Sequence, residues 1–199
     1  MTNLVGQKAP NFKSDAILSD GTFCNNFDLH NRIENKYGLL FFYPLNFTFV
    51  CPSELIALSK NIGELKKRDV ETIGISVDSH FSHNAWRNMP IKDGGIGNIN
   101  YPLVSDVSHK IIKTYGVEHQ IENVAFRAVF IIDKKKNIRI QHINDLPIGR
   151  SISEIVRLID AIQFHEKNGD VCPVNWEKGE DGMKPTGEGV KNYLNKNFV

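Results

Sequence analysis

Cysteines at positions 24, 51 and 172 are the residues of this 199-residue chain with the most chemistry to offer, and their surroundings differ. Cys51 is followed by Pro52 and by a stretch from Ser53 to Arg68 in which Leu55, Leu58, Ile62 and Leu65 fall at i, i+3, i+7 and i+10, on one helical face. Proline suits the first helical position, where its missing N–H has no partner to lose, so Cys51 is expected at the N-cap. A sulfur there faces free backbone N–H groups and the positive end of the helix dipole, both of which stabilise an anion. An ordinary thiol, near pKa 8.5, is only about 3% ionised at pH 7; helix N-termini and cations can bring it to roughly 3.5–7.5. The chemistry this predicts is nucleophilic attack by a thiolate. Thr48, three residues upstream, adds a hydroxyl that can donate and accept hydrogen bonds near the sulfur. Pro44 ends the preceding apolar run and is placed to shield one side of the pocket.

Arg127 stands inside the apolar run Ala125-Phe126-Arg127-Ala128-Val129-Phe130-Ile131-Ile132. A guanidinium in a buried strand costs several kcal/mol unless an anion accompanies it. That anion is either a structural carboxylate or a thiolate. Cys172 lies in the sequence Val171-Cys172-Pro173, within a C-terminal stretch rich in Gly, Pro, Lys and Asp, and is read as exposed. No Cys-x-x-Cys occurs, which excludes an adjacent redox dithiol and most Cys-rich zinc sites. A cysteine so placed predicts a disulfide made across a distance or between chains. Cys24, without activating neighbours, is read as packing in the core or at a sheet edge. His80 and His83 follow Asp78 and are assigned to the surface or an interface; nothing pairs a catalytic histidine with Cys51, which disfavours a cysteine hydrolase.

The elements that must position these groups alternate along the chain. Phe12 to Thr22 and Thr22 to Leu29 read as two strands joined through Ser19-Asp20-Gly21. Gly38 to Tyr43 reads as a strand buried on both faces. The helix from Ser53 to Arg68 follows, then a strand (Val70–Val77), a helix (Ser79–Met89), a Gly-rich loop, a short strand (Pro102–Ser105) and a short helix (Ser108–Tyr115). Strands over Ala125–Ile132 and Ile138–Ile143 flank Asp133-Lys134-Lys135-Lys136-Asn137, a basic run read as a solvated hairpin turn. Ser151-Ile152-Ser153-Glu154 has capping-box spacing and opens a helix to His165, and one further helix is expected over Thr186–Asn197. This order predicts an α/β fold, a thioredoxin-like sandwich of a central mixed sheet with flanking helices, plus a C-terminal arm. The domain reading is 1–165 for the sandwich and 166–199 for the arm.

Composition narrows the function classes. With 24 Lys+Arg against 23 Asp+Glu the net charge is +1, leaving no global field to attract nucleic acid or a membrane surface. No apolar run approaches the roughly 18 residues needed to span a bilayer, and the first ten residues have no apolar signal core. A reducing, cytoplasmic setting is expected, which makes the sequon Asn46-Phe47-Thr48 a coincidence.

The stretch Pro44-Leu45-Asn46-Phe47-Thr48-Phe49-Val50-Cys51-Pro52 has the pattern P-x-x-x-T-x-x-C and resembles the typical two-cysteine peroxiredoxins, which are thioredoxin-dependent peroxidases. Phe126-Arg127, Gly94-Gly95-Ile96-Gly97, Asp145-Leu146-Pro147-Ile148-Gly149-Arg150 and Val171-Cys172-Pro173 with Trp176 extend the resemblance over essentially the whole chain. The resemblance implies that Cys51 is the peroxidatic thiolate, that Thr48 and Arg127 orient a hydroperoxide, and that Pro44 shields the pocket. It further implies that Glu54 and Arg150 hold Arg127 and the helix start, and that Cys172 of the other subunit resolves the sulfenic acid as an intersubunit disulfide reduced by thioredoxin. Such a family needs no metal, haem or flavin and assembles as homodimers and often decamers; a holdase chaperone role is the alternative reading from another class. Two departures stand out. Ser53 replaces the threonine of many members, and Gly94-Gly95-Ile96-Gly97 is paired with Tyr193-Leu194 rather than a Tyr-Phe tail, so intermediate sensitivity to over-oxidation is expected.

Overall fold

The computed structural model describes residues 3–199. Lys13–Ile17 (β1) and Phe23–Asp28 (β2) form the first hairpin, its turn closed by the Gly21 N–H on the Leu18 carbonyl (2.9 Å), with Gly21 at φ +89°. The Asp28 side chain caps a single helical turn, Leu29–Arg32 (α1). Tyr37–Phe42 (β3) is buried at all six positions, as its unbroken apolar run predicts. Two helices follow, Cys51–Lys60 (α2) and Ile62–Lys67 (α3), then Val70–Ser76 (β4), His80–Asn88 (α4), Leu103–Ser105 (β5), Lys110–Thr114 (α5), Arg127–Ile132 (β6) and Ile138–Asn144 (β7). Ile152–Asn168 (α6) and Gly187–Phe198 (α7) complete the chain.

The seven strands form one sheet in the order β2-β1-β5-β4-β3-β6-β7. Its β3–β4 and β4–β5 pairs are parallel and the others antiparallel, the expected mixed sheet of a thioredoxin-like fold. Because side chains alternate along a strand, β6 divides its residues between two faces. Ala128, Phe130 and Ile132 join Leu40, Phe42, Ile73 and Ile75 in a core shared with Ile111, Ile112 and Tyr115. A fully buried side chain of this kind contributes about 1.5–3 kcal/mol. Arg127, Val129 and Ile131 point to the opposite face. The Lys134–Lys136 run does make the β6–β7 turn, closed by the Asp133 N–H on the Asn137 carbonyl (2.9 Å), and its lysines form surface pairs with Asp69 and Glu34.

Two details of the Ser53–Arg68 helix differ from expectation. The helix breaks at Asn61 (φ −97°, ψ 2°), whose side-chain amide donates to the Ala57 carbonyl at 2.8 Å and so competes with the backbone ladder. Its N-cap is Val50, which has helical angles, so Cys51 is the first helical residue and Pro52 the second.

The chain divides into two compact units, one ending at Ile152 and one running Ser153–Val199. In the second, the Trp176 ring packs on Phe164 (centroids 4.8 Å apart), and Arg157 donates to Glu154 and to the Trp176 carbonyl. Thr186 caps α7 through the Gly189 N–H. Among the described residues, no helix is long and apolar enough to cross a membrane.

Candidate active site

The cysteine loop runs from buried Pro44, just past the end of β3, to Cys51 at the start of α2. Cys51 is wholly buried. It stands in the first helical turn, where the backbone N–H groups have no intrahelical acceptor. Thr48 Oγ1 donates to the Leu45 carbonyl at 2.9 Å, which ties the loop to itself and leaves the hydroxyl lone pairs free to accept.

Arg127 reaches this sulfur from the sheet. Its Nη1 lies 3.4 Å from Cys51 Sγ and 2.9 Å from Glu54 Oε2, while Nε donates to the Leu146 carbonyl at 2.5 Å. The carboxylate and the cysteine, alternatives in the sequence, are thus both partners of one guanidinium. Arg150 grips the same carboxylate from the other side, through Nε to Oε1 (2.9 Å), Nη2 to Oε2 (2.8 Å) and its backbone N–H to Oε1 (2.8 Å). Its Nη1 donates to the carbonyls of Phe42 and Ala128, and its guanidinium lies over the Phe41 ring at 3.3 Å. Burial alone would raise the Glu54 carboxyl, but the hydrogen bonds and charge of Arg150, with the charge of Arg127, outweigh it and hold Glu54 below the usual carboxylate range.

Two buried cations share one carboxylate, so the array carries one positive charge too many. Burying an uncompensated charge costs several kcal/mol. Cys51 sulfur, 3.4 Å from Arg127 Nη1, faces this excess.

The loop itself is held by a network that the sequence did not disclose. The Asn46 N–H donates to Asp78 Oδ2 (2.9 Å), and Ser76 Oγ donates to the same oxygen (2.7 Å). The Asn46 amide meets Ser82, His83 and the Tyr43 hydroxyl. His83 is therefore not at the surface: it is fully buried in α4, with Nε2 3.2 Å from the Val104 carbonyl, and burial pushes its pKa down to about 4 against the opposing pull of Asp78. His80 is also largely covered, edge-on to Phe23 and 3.8 Å from Asp15. The only sequence hint was Ser79, whose cap fixes the start of α4; its side chain accepts from the Ser82 N–H. The sequon's Asn46 is buried by the same network.

Cys172 belongs to the C-terminal unit and is half-buried rather than exposed, its thiol 3.4 Å from the Ala161 carbonyl. Burial pushes this thiol up, partly offset by the Arg157 guanidinium. Cys24 lies on β2, partly buried against the core.

Residues 5–141 match the AhpC/TSA family and residues 161–196 the C-terminal domain of 1-Cys peroxiredoxin. The alkyl hydroperoxide reductase C of Buchnera aphidicola subsp. Schizaphis graminum is 52% identical over 98% of each chain. The crystal structure of reduced Plasmodium vivax 2-Cys peroxiredoxin superposes with a TM-score of 0.94 at 49% identity, over 98% of this chain and all of that one. Plasmodium yoelii thioredoxin peroxidase I superposes with a TM-score of 0.78 at 51% identity, over 89% of this chain and all of that one. With a buried cysteine held against a guanidinium on this fold, and kinship along nearly its full length, the chain belongs to the AhpC/TSA family and is a peroxiredoxin, a thiol-dependent peroxidase.

Proposed function

We propose that Cys51 is the peroxidatic residue of a two-cysteine cycle that reduces hydrogen peroxide and organic hydroperoxides. The observation that carries this reading is the Arg127 guanidinium 3.4 Å from Cys51 Sγ, in an array with surplus positive charge. The Cys51 thiolate attacks the terminal oxygen of the hydroperoxide. The O–O bond breaks, sulfur is oxidised to the sulfenic acid, and the departing alkoxide or hydroxide takes a proton to leave as alcohol or water. Arg127 donates toward the oxygen on which charge develops. Thr48, whose own proton is engaged by the Leu45 carbonyl, accepts from the hydroperoxide O–H. Pro44, buried beneath the loop, limits water access, while Glu54 and Arg150 hold Arg127 in register.

Cys172, supplied by the partner subunit's arm (166–199), then condenses with the sulfenic acid, forming the S–S bond and releasing water. A thioredoxin dithiol reduces that disulfide and becomes oxidised in its place. The name of the Plasmodium yoelii structure supports this reductant. The minimal unit on this reading is a homodimer, assembling further to a decamer, in the cytoplasm, where a transient catalytic disulfide is compatible with reducing conditions.

Thioredoxin-coupled peroxide consumption tests the scheme. Cys51→Ser is expected to abolish turnover; retained activity would sink the assignment. Cys172→Ser is expected to stop thioredoxin-driven turnover and to form no intersubunit disulfide; full turnover without that disulfide would sink the two-cysteine cycle.

A further inference from the structure

Arg127 on β6 stands in register opposite Asn144 on β7, and Val129 opposite His142. Residues directly paired in an antiparallel ladder put their side chains on the same face. Asn144 and His142 therefore share the sheet face that carries the Cys51 array, though neither touches Cys51. Just past Asn144 the chain enters the loop Asp145–Arg150, which meets the array at two points: the Leu146 carbonyl accepts from Arg127 Nε, and the Arg150 N–H donates to Glu54 Oε1. Between those points Pro147, Ile148 and Gly149 are exposed to water, as is Asp145 just before them. Inside the loop Asp145 accepts twice, from the Ile148 N–H on its carbonyl at 3.1 Å and from the Leu146 N–H on Oδ1 at 2.7 Å.

The Asn144 side-chain amide fastens this loop across its open end, donating from Nδ2 to the carbonyls of Ile148 (3.1 Å) and Gly149 (3.3 Å). An asparagine amide has an acceptor end and a donor end, and only the donor end serves two carbonyls. His142 sets which end faces the loop: its Nε2 lies 2.6 Å from Asn144 Oδ1, so a proton on that nitrogen holds the oxygen toward His142 and the NH2 toward the loop.

We propose that Asn144, oriented by His142, is a positioning residue for the peroxidase reaction: it clasps the Asp145–Arg150 loop so that the Leu146 carbonyl aims the Arg127 guanidinium at the peroxide bound to Cys51. The inference rests on the role given above to Arg127. A carbonyl on Nε fixes the plane of a guanidinium that would otherwise turn about its own side-chain axis, and a donor contact displaced by about 1 Å loses much of its effect on the transition state.

The test is the second-order rate constant for oxidation of Cys51 by hydrogen peroxide in the full chain, read alongside alkylation of Cys51 by iodoacetamide, a reaction with no oxygen leaving group. Asn144→Ala is expected to slow oxidation about tenfold or more while changing alkylation less than about threefold. An unchanged oxidation rate, or equal losses in both reactions, would overturn the proposal. Arg127→Lys keeps the charge but lacks Nε–H, and adding Asn144→Ala to it is expected to cause no further loss; multiplying losses would show that Asn144 acts elsewhere. His142→Leu is expected to reproduce part of the Asn144→Ala loss, and His142→Gln, which retains an N–H donor, to restore most of it; if the two behave alike, the orienting role of His142 fails. A failure of the underlying site assignment looks different: Arg127→Lys itself would then leave oxidation unchanged.

Discussion

At Cys51 the decisive contacts come from residues distant in sequence. Arg127 is 76 positions away and Arg150 binds Glu54 across 96. The sequence made Arg127 conspicuous because a guanidinium in an apolar strand needs an anion, and it made Cys51 conspicuous because a proline and an amphipathic run follow it. Asn46, Asp78 and His83 were not legible, since single polar residues near loops and helix starts are common and only the fold brings Asn46 within hydrogen-bonding reach of a histidine 37 residues away. His83 carries a measurable consequence. Its folded-state pKa of about 4 lies below the ordinary value of 6.5, so the unfolded chain binds the proton more readily. Stability is therefore complete above pH 6.5 and declines as pH falls toward 4, by about 3 kcal/mol in all. Urea unfolding at pH 7 and pH 5 is expected to show this decline in the wild type and a smaller one in His83→Gln; equal slopes in the two would refute it.

Among elements, period and punctuation disclosed the strands and most helices because burial enforces both. The break at Asn61 escaped, because the apolar spacing continues through it and the interruption comes from a side-chain hydrogen bond to Ala57 that no periodicity reports. The Gly94–Gly97 loop shows close approach at its most demanding. A Cβ on Gly95 would lie 2.0 Å from the Met89 carbonyl oxygen, and the loop is also fastened by the Trp86 indole N–H on the Gly94 carbonyl (3.0 Å). Gly63, inside α3, has nothing within 4 Å of the same position. Gly95→Ala is thus expected to cost roughly 1–3 kcal/mol, whereas Gly63→Ala stabilises by up to about 1 kcal/mol. Thermal melting reads both, at about 2–4 °C per kcal/mol for a chain of this size; matching shifts for the two variants would contradict the packing argument.

For the whole molecule, alternation of strand and helix announced the mixed sheet. What sequence could not supply was the environment of Cys172, which is half-buried with its thiol on the Ala161 carbonyl of α6. On the proposed cycle, the balance between resolution by Cys172 and further oxidation of Cys51 is a property of the full chain. With the Gly94–Gly97 loop present and Leu194 in place of an aromatic ring on α7, intermediate formation of Cys51 sulfinic acid is expected during peroxide turnover. Mass spectrometry that finds none would reject this. Finally, the chain's two tryptophans are divided between the units, and both are buried. Trp86 packs against Phe47 of the cysteine loop, with centroids 5.6 Å apart, and Trp176 packs against Phe164 of its own unit. The molecule therefore carries two built-in optical labels, one whose emission responds to the polarity around the Cys51 loop and one that reports on the segment holding Cys172, and replacing either with phenylalanine isolates the signal of the other.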